Sequence, residues 1–199
     1  MSAAMIERIL IIDGHPDPAA ERLVHTMANA YREGAESSRH EVRTLRVADL
    51  DFPLLRTQTD YENGEPAQAV RECQGLFDWA THVVILYPLW LGSMPALLKG
   101  LLEQILRPGF AFSSRQQGRW PVKLQAGKSA RIIVTMGMPA WLYRWYFRAH
   151  SVRSLKRNIL HFVGFRRVRA TLIGNVANLS ADARQDCLQR IRSMGLRAK

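Results

Sequence analysis

Cysteine is scarce in this chain: two residues in 199, Cys73 and Cys187, far apart and in no CxxC pair. That excludes a disulfide scaffold and a zinc ribbon, and it fits a reducing cytoplasm. HExxH, GxSxG and GxGxxG are all missing, and no carboxylate pair stands out, so metal hydrolysis, a serine elbow and a dinucleotide fingerprint have no support. The N-terminus lacks a basic stretch leading into a long apolar core, so no signal peptide is expected. Trp79 to Leu98 carries no formal charge. Pro88, Gly92, Ser93 and Pro95 interrupt it, however, and its apolar runs fall short of the ~20 residues a membrane span needs. Acid is missing from one long segment. Residues 104–181 hold 14 Lys and Arg but no Asp or Glu, whereas residues 1–103 have a balance of −6. Such segregation suits an anionic partner (phosphate, nucleotide, anionic lipid or nucleic acid), or else a generally basic surface.

What is present is ordinary globular material, 47% hydrophobic and 23% charged, long enough for its own core. No repeat, low-complexity tract or linker divides it, so residues 1–199 are expected to form one domain. Short aliphatic runs alternate with amphipathic stretches. Ile9–Ile12, Glu41–Leu45, His82–Tyr87, Arg131–Thr135 and Val168–Ile173 read as strands. Ala19–Glu36, Ala69–Phe77, Ala96–Leu106, Ser151–Phe162 and Ala181–Met194 read as helices, with Pro95 before the third and Ser180 capping the last. A polar connection, Asp49 to Pro66, has no assigned element. The alternation implies an α/β protein with a parallel sheet covered on both faces. Ligands in such sheets bind beyond the carboxyl ends of the strands, which directs attention to the loops after Ile12, Tyr87 and Thr135.

The first loop, Asp13-Gly14-His15-Pro16-Asp17-Pro18, precedes a helix and so faces a positive helix end suited to phosphate. On its own it is a generic turn. Gly127-Lys128-Ser129 looks like the tail of a phosphate-binding loop, but position 122 is Val and the triplet leads into a strand, so that reading is rejected. The second loop, Tyr87-Pro-Leu-Trp-Leu-Gly-Ser-Met-Pro95, is stiff and apolar. It suits a flat heteroaromatic ring with polar edges, or alternatively core packing.

Tyr87-Pro-Leu-Trp-Leu-Gly-Ser-Met-Pro-Ala-Leu-Leu-Lys-Gly100, with Pro108-Gly-Phe-Ala-Phe112, resembles the flavodoxin-like NAD(P)H:quinone oxidoreductase family. DT-diaphorase, the modulator-of-drug-activity reductases and the quinone reductases ancillary to potassium-efflux systems belong to it. His15-Pro-Asp-Pro18 is similar to that family's first flavin loop, and Asn158-Ile-Leu-His-Phe-Val-Gly-Phe165 to its last helix before the final strand. The resemblance implies a three-layer flavodoxin-like sandwich with a five-stranded parallel sheet of order 2-1-3-4-5. It also implies FMN (or FAD) as cofactor, NAD(P)H as co-substrate, and a homodimer with the active site at the subunit interface. By position, His15 would lie beside the flavin phosphate. Pro88, Leu89, Trp90 and Leu91 would line the ring, with the Trp90 and Leu91 amides on its polar edge. Thr135, Met136 and Gly137 would form the third flavin loop. Where the family places a Ser and an Asn on the phosphate, this chain has Ala20 and Arg22, so the Arg22 charge would stand in. Tyr143 and His150 are the nearest match to the family's Tyr/His pair that steadies charge on the reduced flavin, with Tyr146 the alternative to Tyr143.

The function implied is two-electron hydride transfer from NAD(P)H to a quinone or similar flat acceptor. Two other readings stay open: a flavin-binding regulatory subunit docked on a membrane transporter through the basic face, and a nucleic-acid binder using Trp141–Arg148. The second is disfavoured, because in the family that stretch roofs a substrate pocket.

Overall fold

The computed structural model describes residues 6–113 and 121–198. Its centre is one all-parallel sheet of five strands in the order β2-β1-β3-β4-β5. In chain order the elements are β1 (Arg8–Asp13), α1 (Leu23–Ser37), β2 (Glu41–Arg46), α2 (Gln58–Asn63), α3 (Gln68–Trp79), β3 (His82–Pro88) and α4 (Ala96–Ile105). They continue with β4 (Ser129–Thr135), α5 (Ala140–Trp145), α6 (His150–Ser154), a π-helical stretch (Leu155–Leu160), α7 (His161–Val163), β5 (Arg167–Ile173) and α8 (Ala181–Leu196).

The aliphatic runs are continuous because both faces of each central strand are buried. Leu10, Ile12, Val83, Ile85, Ile132 and Val134 pack with α3, α4 and the α6 segment. Their alternating neighbours Ile9, Ile11, Val84, Leu86 and Ile133 pack with α1 and α8. Helices α1 and α8 cross backbone against backbone. A Cβ on Gly34 would fall 2.0 Å from the Arg192 carbonyl oxygen, so only glycine fits there. Both edge strands carry charged side chains (Glu41, Arg43 and Arg46 on β2, Arg167 and Arg169 on β5), which discourages pairing with another chain.

The sequence expectations for the five strands hold to within a residue or so at most ends; β1 and β4 each begin one or two residues earlier, and β3 and β2 run one further. The helices depart more. The first begins at Leu23 instead of Ala19, because Asp17 holds the preceding segment as turns. Its Oδ1 accepts from the Ala19 amide at 2.9 Å and its Oδ2 from Arg22 Nε at 2.7 Å. The expected helix Ser151–Phe162 runs from His150 to Val163 and widens to π geometry in the middle. Helices α2 and α5 have no counterpart in the sequence expectations. Thr57 caps α2 by accepting from the Asp60 amide at 3.0 Å. Ser180 does cap α8, through the Ala183 amide. Lys128 holds the fold together instead of binding phosphate. Its ammonium donates to the carbonyls of Phe77, Asp78 and Ala80 at 2.7–3.0 Å, closing the end of α3.

Candidate flavin site at the carboxyl ends of the strands

The three loops after β1, β3 and β4 meet because the backbone ties them together. The Gly14 amide donates to the Leu86 carbonyl at 2.7 Å, and the Leu89 amide to the Thr135 carbonyl at 2.7 Å. Gly14 is required here, since a Cβ would lie 2.8 Å from the Leu86 carbonyl oxygen and 2.6 Å from the Leu98 side chain. The first bond draws the His15 loop against β3, and the second seats the Trp90 turn on the end of β4.

Within the first loop the polar groups serve one another. The Asp17 amide donates to His15 Nδ1 at 3.1 Å, so the N–H of His15 is on Nε2, the atom left for a ligand. Burial and the nearby His25 push the His15 pKa down, which favours the neutral ring. The His15 ring also meets Trp90 edge-on, with centroids 5.7 Å apart, so the first and second loops touch through side chains. Beneath it His25 Nδ1 lies 2.5 Å from Asp13 Oδ2, and its Nε2 donates to the Asp17 carbonyl at 2.9 Å. Sequence reasoning misses both Asp13 and His25. Asp13 reads only as part of an Asp-Gly turn, and His25 lies 12 residues further on with no local pattern joining them.

Arg22 stands at the N-cap of α1 with its guanidinium paired to Asp17 at 2.5 Å. No side chain caps that helix. Among the described residues, nothing accepts from the amides of Ala20, Glu21, Leu23 and Val24, which leaves donors for an anion at this helix end.

The second loop is a tight turn. The Trp90 and Ser93 backbones exchange both hydrogen bonds, each 2.9 Å, with Leu91 at φ 44° and Gly92 at φ 78° between them. The Trp90 amide is therefore spent within the turn, which corrects the expectation that it faces a ring edge; among the described residues the Leu91 amide has no such partner. Pro88 is buried, Leu89 half-buried and Trp90 exposed. In the third loop Thr135 and Met136 are buried, Gly137 is exposed, and the Met136 amide donates to the Ile173 carbonyl at 2.9 Å.

His150 reaches the same mouth, its Cε1 4.0 Å from where a Cβ on Gly92 would stand. Tyr143 faces inward. It is 1% exposed, and its hydroxyl lies 2.5 Å from Ser151 Oγ. Ser151 in turn lines a cavity of about 400 Å³ with Trp90, Leu91, Ser93, Met94 and Pro95. Ser151 thus joins Tyr143 to the cavity, a connection with no signal in the sequence. Tyr146, the alternative, is 68% exposed, with its ring against Phe147.

A phosphate fits the open amides before α1 beside His15, and a flat apolar ring fits the Trp90 turn, so these residues suit a flavin. A family model described as a flavodoxin-like fold (Flavodoxin_2) matches residues 7–194.

The chain belongs to the Flavodoxin_2 family.

Two relatives frame the family's range around it. One, named an uncharacterized NAD(P)H oxidoreductase of Haemophilus influenzae, is 23% identical over 184 residues, covering 90% of each chain. The other, an FMN-dependent NADH:quinone oxidoreductase of Nitratidesulfovibrio vulgaris, is 27% identical over 179 residues, covering 78% of this chain and 81% of its own. Among solved structures, an NAD(P)H:quinone oxidoreductase from Methanothermobacter marburgensis superposes with a TM-score of 0.82 at 21% identity, over 98% of this chain and all of that one (100%). This last likeness shows a common fold. The strand order β2-β1-β3-β4-β5 agrees with the flavodoxin-like fold of the family.

Proposed function

We propose that this chain is a flavin-dependent NAD(P)H oxidoreductase that reduces quinones or similar flat acceptors by two-electron transfer. The observation that carries this reading is the meeting of the three loops. An uncapped helix end beside His15, a stiff apolar turn at Trp90 and the Thr135–Gly137 loop converge at the carboxyl edge of the sheet. The relatives' names, NAD(P)H oxidoreductase and FMN-dependent NADH:quinone oxidoreductase, support it. FMN is the cofactor favoured over FAD for the same reason. Bound there, it would accept a hydride from NAD(P)H and return two electrons to the acceptor, which takes up two protons as it becomes the hydroquinone.

The chain's own residues bind and position. His15 Nε2 and the amides before α1 hold the phosphate, with Arg22 sharing its charge between Asp17 and the ligand. Pro88, Leu89, Trp90 and Leu91 form the apolar floor, and the Leu91 amide serves the ring's polar edge. Thr135, Met136 and Gly137 close the far side. His150 acts at the mouth, while Tyr143 acts through Ser151. We further infer a homodimer in a reducing cytoplasm. A cavity of about 490 Å³ between α4 and the π-helical stretch, lined by Leu102, Leu106, Phe112 and Phe162 together with the charged Arg56, Lys99 and Glu103, offers a mixed surface for self-association.

The test is to purify the chain with excess FMN and FAD, release what is bound, and identify it by chromatography. One flavin per chain is expected, with NAD(P)H-dependent reduction of a water-soluble benzoquinone. Trp90→Asp should empty the site, because it sets a charge against an apolar ring. Gly92→Val should do the same by straining the turn at φ 78°. Retention of neither flavin by the wild type would overturn the proposal.

A further inference from the structure

We propose that Asp13 and His25 form a protonated latch beneath the first site loop, and that flavin affinity depends on the second proton of the His25 ring. The ligand rests on the reductase reading above; the latch itself does not.

The latch holds the loop at both ends. Asp13 closes β1, and its Oδ1 accepts from the His15 amide at 3.3 Å. Its Oδ2 meets His25 Nδ1 at 2.5 Å, and the opposite nitrogen of that ring donates to the Asp17 carbonyl at 2.9 Å. The segment from His15 to Asp17 is thus clasped between the end of β1 and the first turn of α1. Within the clasp the Asp17 amide donates to His15 Nδ1 at 3.1 Å, which leaves His15 Nε2 for the phosphate. Asp17 in turn engages the Ala19 amide and Arg22. His15 and Arg22, both assigned to the phosphate, therefore hang on the Asp13–His25 pair.

A carboxylate and a carbonyl face the two nitrogens of His25, so the ring keeps both bonds only as imidazolium. A neutral ring would give up one of them. The place is costly for a cation. His25 is the third residue of α1, where the helix end is itself positive, and it is 6% exposed beside an Asp13 that is 2% exposed. A charge set against the helix dipole and away from water points to a role beyond packing. His15, with its ring centroid 5.4 Å away, takes the opposite state. Burial first, and then the His25 charge, lower its pKa, so one ring of the two is charged.

The proton has a way out. A cavity of about 500 Å³ among α1, β2 and α3 reaches both Asp13 and His25. Its charges balance, with Arg32 and Arg46 against Asp49 and Glu72, and burial pushes the Cys73 thiol on the same wall up to about 11. From the loop side the pair meets His15, Asp17 and Arg22, the last two joined to each other. His15 is held neutral above pH 7 and Cys73 stays protonated well beyond it, so neither blurs the step assigned to His25.

Nitrogen NMR of the chain labelled in its histidine rings should show His25 with both nitrogens protonated at pH 7, before and after FMN is added. A phosphate monoester is already doubly ionised above that pH. Raising the pH until the signal reports loss of the second proton should therefore weaken FMN binding, followed by flavin fluorescence, by roughly tenfold. His25→Gln can serve one acceptor but not two on opposite sides, so it should bind FMN roughly tenfold more weakly at pH 7 and lose nothing further as pH rises. Asp13→Asn is the deciding variant. Its amide nitrogen can donate to Nδ1 of a neutral ring while its oxygen accepts from the His15 amide, so both ends hold without the second proton. It should bind FMN more tightly than Asp13→Ala does, with a flat pH profile. A singly protonated His25 in the wild type at pH 7 overturns the proposal. So does an affinity that stays constant while the second proton leaves, or a fall in Asp13→Asn as steep as that of the wild type. A wild type that binds no flavin yet shows a doubly protonated His25 would instead defeat the reductase reading and leave the latch standing.

Discussion

The two ends of the sheet are built on different terms. At the amino ends of the strands, buried polar groups satisfy one another. His82 Nε2 meets the Tyr31 hydroxyl at 3.2 Å and its Nδ1 the Ser129 hydroxyl at 2.7 Å, while Lys128 closes α3 through three carbonyls. At the carboxyl ends, amides before α1 stay open, Leu91, Arg148 and Ala149 adopt left-handed backbone, and tryptophans face water. Apart from the left-handed Arg39 that leads into β2, the amino end is organised for stability. The carboxyl end holds donors, strain and apolar surface in reserve for something that binds, as a ligand site in an open parallel sheet should.

The most severe test of this contrast lies at the amino end. Burial holds the His82 pKa down at about 4, against 6.5 for an unburied ring. In the unfolded chain His82 takes up a proton as pH falls below about 6.5, while in the folded chain it stays neutral until about 4. Its contribution is therefore fully present above pH 6.5 and is lost as pH falls to 4, about 3 kcal/mol in all. His15, also held low, adds a loss of the same sign, so the informative quantity is a difference. Urea unfolding of wild type and His82→Gln at pH 7 and pH 4.5 should show the wild type losing about 2 to 3 kcal/mol more than the variant on acidification. Parallel losses would mean that the His82 cluster is not the closed, neutral network described.

Tyr143 sits between the two regimes, a buried residue that serves the open end. Tyr143→Phe removes the hydroxyl from Ser151, whose Oγ can still turn to water in the adjoining cavity, so the cost should be only about 1 kcal/mol. Turnover should fall while flavin content holds. Ser151→Ala should produce the same change in the pH profile of turnover, because Tyr143 reaches the cavity through that serine. If Ser151→Ala leaves the profile untouched while Tyr143→Phe alters it, Tyr143 acts by another route.

How much of this is legible in the residues divides along the same line. The sheet is readable because strands buried on both faces leave uninterrupted aliphatic runs, as in Ile9–Ile12 and His82–Tyr87. The site loops are readable from where such a sheet must bind and from the Tyr87–Gly100 block. The orientation of side chains within them is not. That Asp17 engages Ala19 and Arg22 and delays α1 to Leu23, and that the Trp90 amide is spent on Ser93, are short-range outcomes. Several turn geometries compete for the same residues, and residue type alone does not choose among them. The inward turn of Tyr143 depends on Ser151, eight residues away across two left-handed residues that no propensity anticipates.

The smallest expected effect isolates the strain at the open end. Leu91 at φ 44° is followed by Gly92 at φ 78° in a two-residue turn whose first position favours Asn or Gly. A leucine there costs the folded state about 1 kcal/mol relative to a residue that tolerates left-handed backbone. Its side chain is fully in solvent, so it recovers nothing by packing within the chain. Leu91→Asn should therefore raise unfolding stability by up to about 1 kcal/mol, read as a higher urea midpoint with an unchanged slope. The asparagine keeps the backbone amide that serves the ring edge but removes an apolar part of the floor, so flavin should bind more weakly. A stabilised variant that binds flavin more weakly would show that the open end gives up stability for its ligand. No gain in stability would mean that the turn accommodates leucine without strain, and the contrast between the two ends would then rest on exposure and charge alone.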